Sequence, residues 1–311
     1  MRTATTRGTA IAFAAVIVAM LSMLVSVGAA SAVTLKGEWA PFNRCPVNDP
    51  ALFSADIEET TLAVCLAVDA TNGSMKIGNL SLTTGASSTQ SGVLGIEGIF
   101  LAVSPKSAIV AAPAVVPGGI AALVCPKAAD FKGDICKSAA TRAPRLNVVT
   151  STLESAGPLT NLNLFAALEP GQRIVTLPAK LHLQNPFLGP NCYIGSNANP
   201  ILLQPSTVIP PTSNFFLFGL DGTVSEEGAI YEAQFTKTSQ SDTTFAVGTA
   251  TGCGLGGWLN ASINHNLGLP SPAGNNSMVL NEVTSGLIGL NAPTPTDGKD
   301  FAEDWHHAIV K

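Results

Sequence analysis

"RIVTLPAKLHLQNPFLGPNCYIGSNANP", Arg173 to Pro200, holds both patterns on which the fold reading rests. Within it, Lys180–Gln184 (KLHLQ) alternates polar with apolar residues, the period-2 signature of a half-buried strand. From Asn185 the alternation stops. Asn185–Pro200 carries four asparagines, three prolines, two glycines and Cys192. Proline and glycine interrupt regular structure and asparagine suits the turns between them, so this stretch predicts a structured corner rather than a strand or helix. Phe187 and Tyr193 are expected to drop into a core while Cys192 anchors the loop.

The strand pattern recurs along the chain. TLKGEW (Thr34–Trp39) alternates in the same way. TTLAVCLAV, GVLGIEGIFLAV, SAIVAAPAVV, FFLFGL and TTFAVGTA are short apolar runs set off by Gly, Pro, Asn and Ser. Two helices are expected. One lies in residues 118–140 and is broken near Pro126, which lacks an amide donor. The other, residues 254–267, is stopped by Pro270. Closely spaced strands with few helices predict a mainly β protein, sandwich- or barrel-like, rather than alternating βα units.

Internal similarity suggests a duplication. KGEWAPFNRC from Lys36 resembles KLHLQNPFLGPNC from Lys180, and PGGIAAL (117–123) resembles LGGWLNA (255–261). NVVTSTL (147–153) matches NEVTSGL (281–287) in five of seven positions. The three markers keep their order, so the expectation is two tandem, related β domains, 33–156 and 157–290, with one or two short helices each and a charged C-terminal tail, 291–311.

Residues 1–32 read as a signal peptide. Arg2 and Arg7 precede a long apolar run, and Ala30-Ser31-Ala32 makes a small-residue exit. The expected product is a secreted protein. The competing reading is an uncleaved N-terminal anchor, because the apolar run approaches the length that spans a bilayer. Without Arg2 and Arg7, 14 of the 16 basic residues remain against 21 acidic ones, a formal charge of −7. With no basic patch interleaved with aromatics, nucleic acid is not an expected partner.

Six cysteines, Cys45, Cys65, Cys125, Cys136, Cys192 and Cys253, suit an oxidising compartment. The favoured pairing joins sequence neighbours: Cys45–Cys65, Cys125–Cys136 and Cys192–Cys253. No CxxC pair or HExxH spacing points to a metal, and no cofactor is expected.

Catalytic motifs are weak. GCGLGG (252–257) fits GxGxxG, but no βαβ pattern surrounds it, and a disulfide-pinned turn into a helix is the favoured reading. His182, His265, His306 and His307 are dispersed. No GxSxG elbow occurs. The densest carboxylates, Asp56, Glu58 and Glu59, then Glu226 and Glu227, read as solvated strand ends; Asp297–Asp304 lacks calcium-loop spacing. A sugar-binding surface would need exposed aromatic faces, but Trp39 and Trp258 sit in the repeat markers and are expected in the core.

KLHLQNPFLGPNCYIGSNANPILL, TATGCGLGGWLNASIN, GLPSPAGNNS, EWAPFNRCPVNDP and VVPGGIAALVCP together resemble a family of exported actinobacterial proteins of unknown function. The resemblance implies export and a shared fold, and carries over no activity, ligand or catalytic residue. The leading expectation is a non-catalytic extracellular or envelope-associated binding or structural protein, with an envelope or extracellular polymer as ligand. A secreted hydrolase of glycans or peptides is the first alternative and a membrane-inserting β protein the second.

Overall fold

A computed structural model describes residues 33–56, 62–96, 98–105, 107–125, 144–289 and 296–310. Its frame is set by β1 (Leu62–Ile77), a strand of 16 residues. Turns connect it to β2 (Leu80–Thr84) and β3 (Ser87–Ile96), followed by β4 (Ile99–Val103), β5 (Ile109–Ala111), β6 (Ala114–Val115) and β7 (Thr150–Ser155). Then come β8 (Leu177–Gln184), β9 (Tyr193–Ile194), β10 (Ile201–Leu203), β11 (Ser206–Ile209) and β12 (Thr212–Phe218). The last strands are β13 (Ile230–Asp242), β14 (Ala250–Thr251) and β15 (Ser277–Ile288).

These 15 strands form one sheet with the path β11-β13-β15-β1-β3-β5-β7-β8-β9-β14. The strand pairs are antiparallel. The mainly β reading therefore holds, with few short helices and two disulfides among the described residues.

The sheet does not divide at 156/157. β7 pairs with β8 across that point, and β1 lies between β3 and β15, with Cys65 opposite Ile288. Val33–Lys311 forms one compact unit. The first pair of repeat markers differs in structure, while the other two pairs match in element type. Gly37–Phe42 is a 3-10 helix, whereas Lys180–Gln184 belongs to β8. The second pair supplies two helices, Gly119–Val124 and Asn260–Leu267, and the third supplies β7 and β15.

Period-2 alternation in β1 feeds two cores on opposite faces of the central sheet. Val64 and Leu66 point into the larger core, which also holds Leu181, Leu183, Leu188 and Ile194. Ala63, Cys65 and Ala67 point the other way, into a second core with Trp39, Phe42, Phe218, Ile288, Phe301 and Trp305. The small side chains on this face of β1 leave room for large rings to approach it. Trp39 meets Phe218 edge-on at 5.3 Å and Phe301 at 6.2 Å.

Two expectations fail at this second core. TLKGEW is not a strand: Gly37 has φ of 49°, and a Cβ there would lie 2.1 Å from the Gly222 carbonyl oxygen. The chain coils instead, and a 3-10 turn brings Trp39 and Phe42, three residues apart, to one side. Buried Gln90 holds the coil, accepting from the Arg44 N–H (2.7 Å) and donating to the Pro41 carbonyl (2.6 Å). The segment expected to be a charged tail forms a helix, Asp297–His307, with Phe301, Ala302 and Trp305 buried. Its hydrophobic residues at i, i+1 and i+4 make one apolar stripe, and Trp305 Nε1 donates to the Phe42 carbonyl at 3.0 Å. Of the acidic residues that suggested a tail, Asp300 and Glu303 are exposed and Asp297 and Asp304 are half-buried.

The first expected helix is six residues long, Gly119–Val124; its remainder lies outside the described residues. So do residues 1–32 and Cys136. No helix among the described residues is long and apolar enough to cross a membrane.

Candidate functional site

β8 buries Leu177, Ala179, Leu181 and Leu183 and turns Pro178, Lys180 and His182 to the opposite face. At its end, Asn185 makes the corner. Its side-chain amide donates to the carbonyls of Leu146 (2.9 Å) and Val148 (2.8 Å), and its carbonyl oxygen accepts from the Phe187 N–H (2.9 Å). The chain returns so that the Leu183 N–H donates to the Cys192 carbonyl at 2.8 Å. The residue that drops into the core is Leu188, not Phe187. Leu188 is fully buried, whereas Phe187 is 55% exposed.

A second loop, residues 252–258, is clamped to this corner. Cys192 and Cys253 form a disulfide with Cα atoms 4.2 Å apart. The Gly254 N–H donates to the Leu188 carbonyl at 2.7 Å, and the Cys253 N–H donates to the Asn260 side-chain oxygen at 2.8 Å. Glycine is required at the contacts. Gly252 has φ of 70°, and a Cβ there would lie 2.1 Å from the Asn191 carbonyl oxygen. A Cβ on Gly254 would lie 2.6 Å from Trp258 Nε1, so the indole rests against bare backbone. The GxGxxG spacing therefore serves a tight turn into a 3-10 turn and the helix Asn260–Leu267. The surrounding sheet is antiparallel, unlike the βαβ setting of a dinucleotide site.

Between the two loops lies an open groove of about 720 Å³, lined by residues that include Phe187, Pro190, Asn191, Leu255, Trp258 and Asn260. Leu255 is 93% exposed and Trp258 69%. The expectation that both Trp39 and Trp258 are core residues is right for Trp39 alone. The residues of this segment that enter the core are Cys253 and Leu259, and the indole between them stays on the surface. Sequence carried one usable signal: Trp258 follows two glycines and precedes Leu259, the residue that is buried.

A polar cluster adjoins the groove at Pro190 without lining it. Glu154 on β7 lies opposite Lys180, with its carboxylate 3.8 Å from Lys180 Nζ and 2.9 Å from His182 Nδ1. His182 Nε2 is 3.1 Å from the carbonyl of Pro190, a groove residue. Both His182 partners are acceptors, so the ring donates to both only when it carries two protons. Tyr193 on β9 stacks on His182 at 4.3 Å and lies 4.6 Å from Lys180 Nζ. Burial, then the charge of Glu154 and a hydrogen bond to it, raises the Tyr193 phenol above its usual range. The antiparallel pairing of β8 with β9 sets His182 directly opposite Tyr193.

The remaining expected residues do not converge. His265, His306 and His307 are exposed, and His306 Nε2 is 3.0 Å from the Asn48 side-chain oxygen. Glu226 and Glu227 lie exposed between β12 and β13; Glu58 and Glu59 fall outside the described residues, and Asp56 is half-buried. Among the described residues no three His, Cys, Asp or Glu side chains gather to hold a metal. Cys45 is bonded to Cys65, which ties the 3-10 segment to β1. Disulfides of this kind belong to an oxidising, extracellular setting.

One buried acid was missed entirely. Glu232 on β13 is 2% exposed, and its carboxyl is pushed up to about 7, first by burial and then by the charge of Glu38, against a hydrogen bond with Gln234. Its Oε2 has no hydrogen-bond partner among the described residues. The group sits inside the second core, away from the groove.

Comparison with known proteins gives no match: no family model, curated protein or solved structure is significantly similar to this chain.

Proposed function

We propose that this is an exported, non-catalytic binding protein that holds an extracellular or envelope polymer through the groove between residues 185–192 and 252–260. The observation carrying this reading is the exposure of Phe187, Leu255 and Trp258 together on two loops that are otherwise tightly fixed. Single exposed apolar side chains are ordinary, but several gathered beside one groove mark an interaction surface. A disulfide and backbone hydrogen bonds hold the patch in place, so little ordering entropy is lost on binding. The leader-like residues 1–32 and the disulfides supply the extracellular part of the reading.

Cosedimentation with isolated cell-envelope material tests it. The oxidised protein is expected to pellet with that material, and the triple variant F187A/L255A/W258A is expected to stay in the supernatant while unfolding at an unchanged urea midpoint. Equal pelleting of the two proteins would remove the groove from the account of binding.

A further inference from the structure

We infer that the groove binds a neutral glycan, stacking a sugar ring on Trp258; this rests on the groove being the binding surface. The chemistry of the lining selects the class. None of its side chains ionises: it consists of glycine, proline, Phe187, Leu255, Trp258 and the amides of Asn191 and Asn260. An anionic headgroup, nucleic acid or acidic polymer would need a cationic partner, and a cation would need carboxylates. The charged cluster that adjoins the groove at Pro190, Glu154 with Lys180 and His182, pairs its charges internally on β7 and β8.

What the lining offers is one or two aromatic rings and unused amide groups. The indole of Trp258 and the ring of Phe187 are both more than half exposed. The face of an aromatic ring carries negative quadrupole charge, which attracts the slightly positive C–H groups on the apolar side of a sugar. The Asn191 side-chain amide makes no hydrogen bond among the described residues, and Asn260 uses its oxygen on Cys253 and leaves its Nδ2 hydrogens unassigned. Amides both donate and accept, as sugar hydroxyls do, so they recognise a polyhydroxylated partner without a net charge. A peptide is the poorer fit. Turns wall the groove, and β9 and β14 beside it are two residues long, too short to receive an added strand.

Trp258 provides its own probe. Trp39 is fully buried and Trp305 is 5% exposed, so acrylamide quenching of the oxidised protein reports mainly on Trp258. Quenching and affinity electrophoresis would be run with neutral glucans, mannans, galactans and arabinans in both anomeric linkages, and quenching also with phosphatidylglycerol vesicles. At least one glycan is expected to shield Trp258 and retard the protein. W258A should weaken that retardation about tenfold or more, the loss typical of removing a central aromatic anchor, and W258F should restore part of it. No effect from any neutral glycan overturns the inference. If vesicles alone shield Trp258, the groove remains a binding surface but its partner is a membrane. If groove substitutions also leave envelope cosedimentation unchanged, the binding reading fails with it.

Discussion

Replacing Glu232 with Gln should make the protein more stable at pH 8 than at pH 4, relative to wild type. The carboxyl lies over Gly286, where a Cβ would come within 3.0 Å of Glu232 Oε1 and 2.7 Å of Phe42 Cζ. The absence of a side chain at Gly286 makes the space that ring and carboxyl share. Burial holds the folded carboxyl at about 7 against an ordinary 4.5. Between those values the unfolded chain has released its proton and the folded chain keeps it. Stability therefore falls as pH rises from about 4.5 to about 7, and the full penalty is present above that range. At 1.36 kcal/mol per pKa unit, the penalty is about 3 kcal/mol, and relaxation of the site would reduce it. Gln has nearly the same shape and does not titrate. Its packing effect is common to both pH values, so the change in the mutant–wild-type difference isolates ionisation. Urea unfolding followed by fluorescence of Trp39 and Trp305, with disulfides intact, measures it. Asp297, raised to about 6 by burial and then Asp300, and Asp304, also raised chiefly by burial, contribute the same sign in both proteins and cancel. A difference that is the same at pH 4 and pH 8 would refute the claim that Glu232 is buried and held neutral.

Four further outcomes are expected. Leu188→Ala should cost roughly 2–5 kcal/mol in urea unfolding, as core truncations do. Phe187→Ala should change stability by less than about 0.5 kcal/mol, as surface changes do; reversal of that order would place the wrong residue in the core. Replacing Cys192 and Cys253 together with Ser should cost roughly 2–4 kcal/mol, and limited proteolysis should then cut within residues 185–200 or 252–258. Trp305→Phe keeps a ring in the second core but removes one of two donors to the Phe42 carbonyl, which retains the Cys45 N–H at 3.1 Å, for an expected loss of about 0.5–1.5 kcal/mol; an unchanged unfolding midpoint would show that this hydrogen bond does not secure that core.

Much of this was legible because it is local. The alternation in Lys180–Gln184 continues through β8, since burial on one sheet face imposes a two-residue period wherever a strand forms. The corner after it follows from the backbone limits of Pro, Gly and Asn, and the glycines of residues 252–257 mark a turn for the same reason. The failures came where distant segments decide. TLKGEW alternates as a strand would, but Gly37 meets Gly222 and the chain coils. The acidic content of Asp297–His307 hid an apolar stripe that only a second core could use.

By itself, then, the sequence determined a β-rich chain, its turns and a cysteine content suited to an oxidising compartment, because these depend on short-range backbone and side-chain chemistry. Tertiary structure alone decided that the strands share one sheet with a core on each face, and which of two Trp residues in similar Gly-containing segments is buried. Trp39 is covered by Phe218 and Phe301, which arrive from residues far along the chain. Trp258 lies on a segment that enters the core through Cys253 and Leu259 instead. Exposure is set by what packs opposite, and no local pattern contains that information.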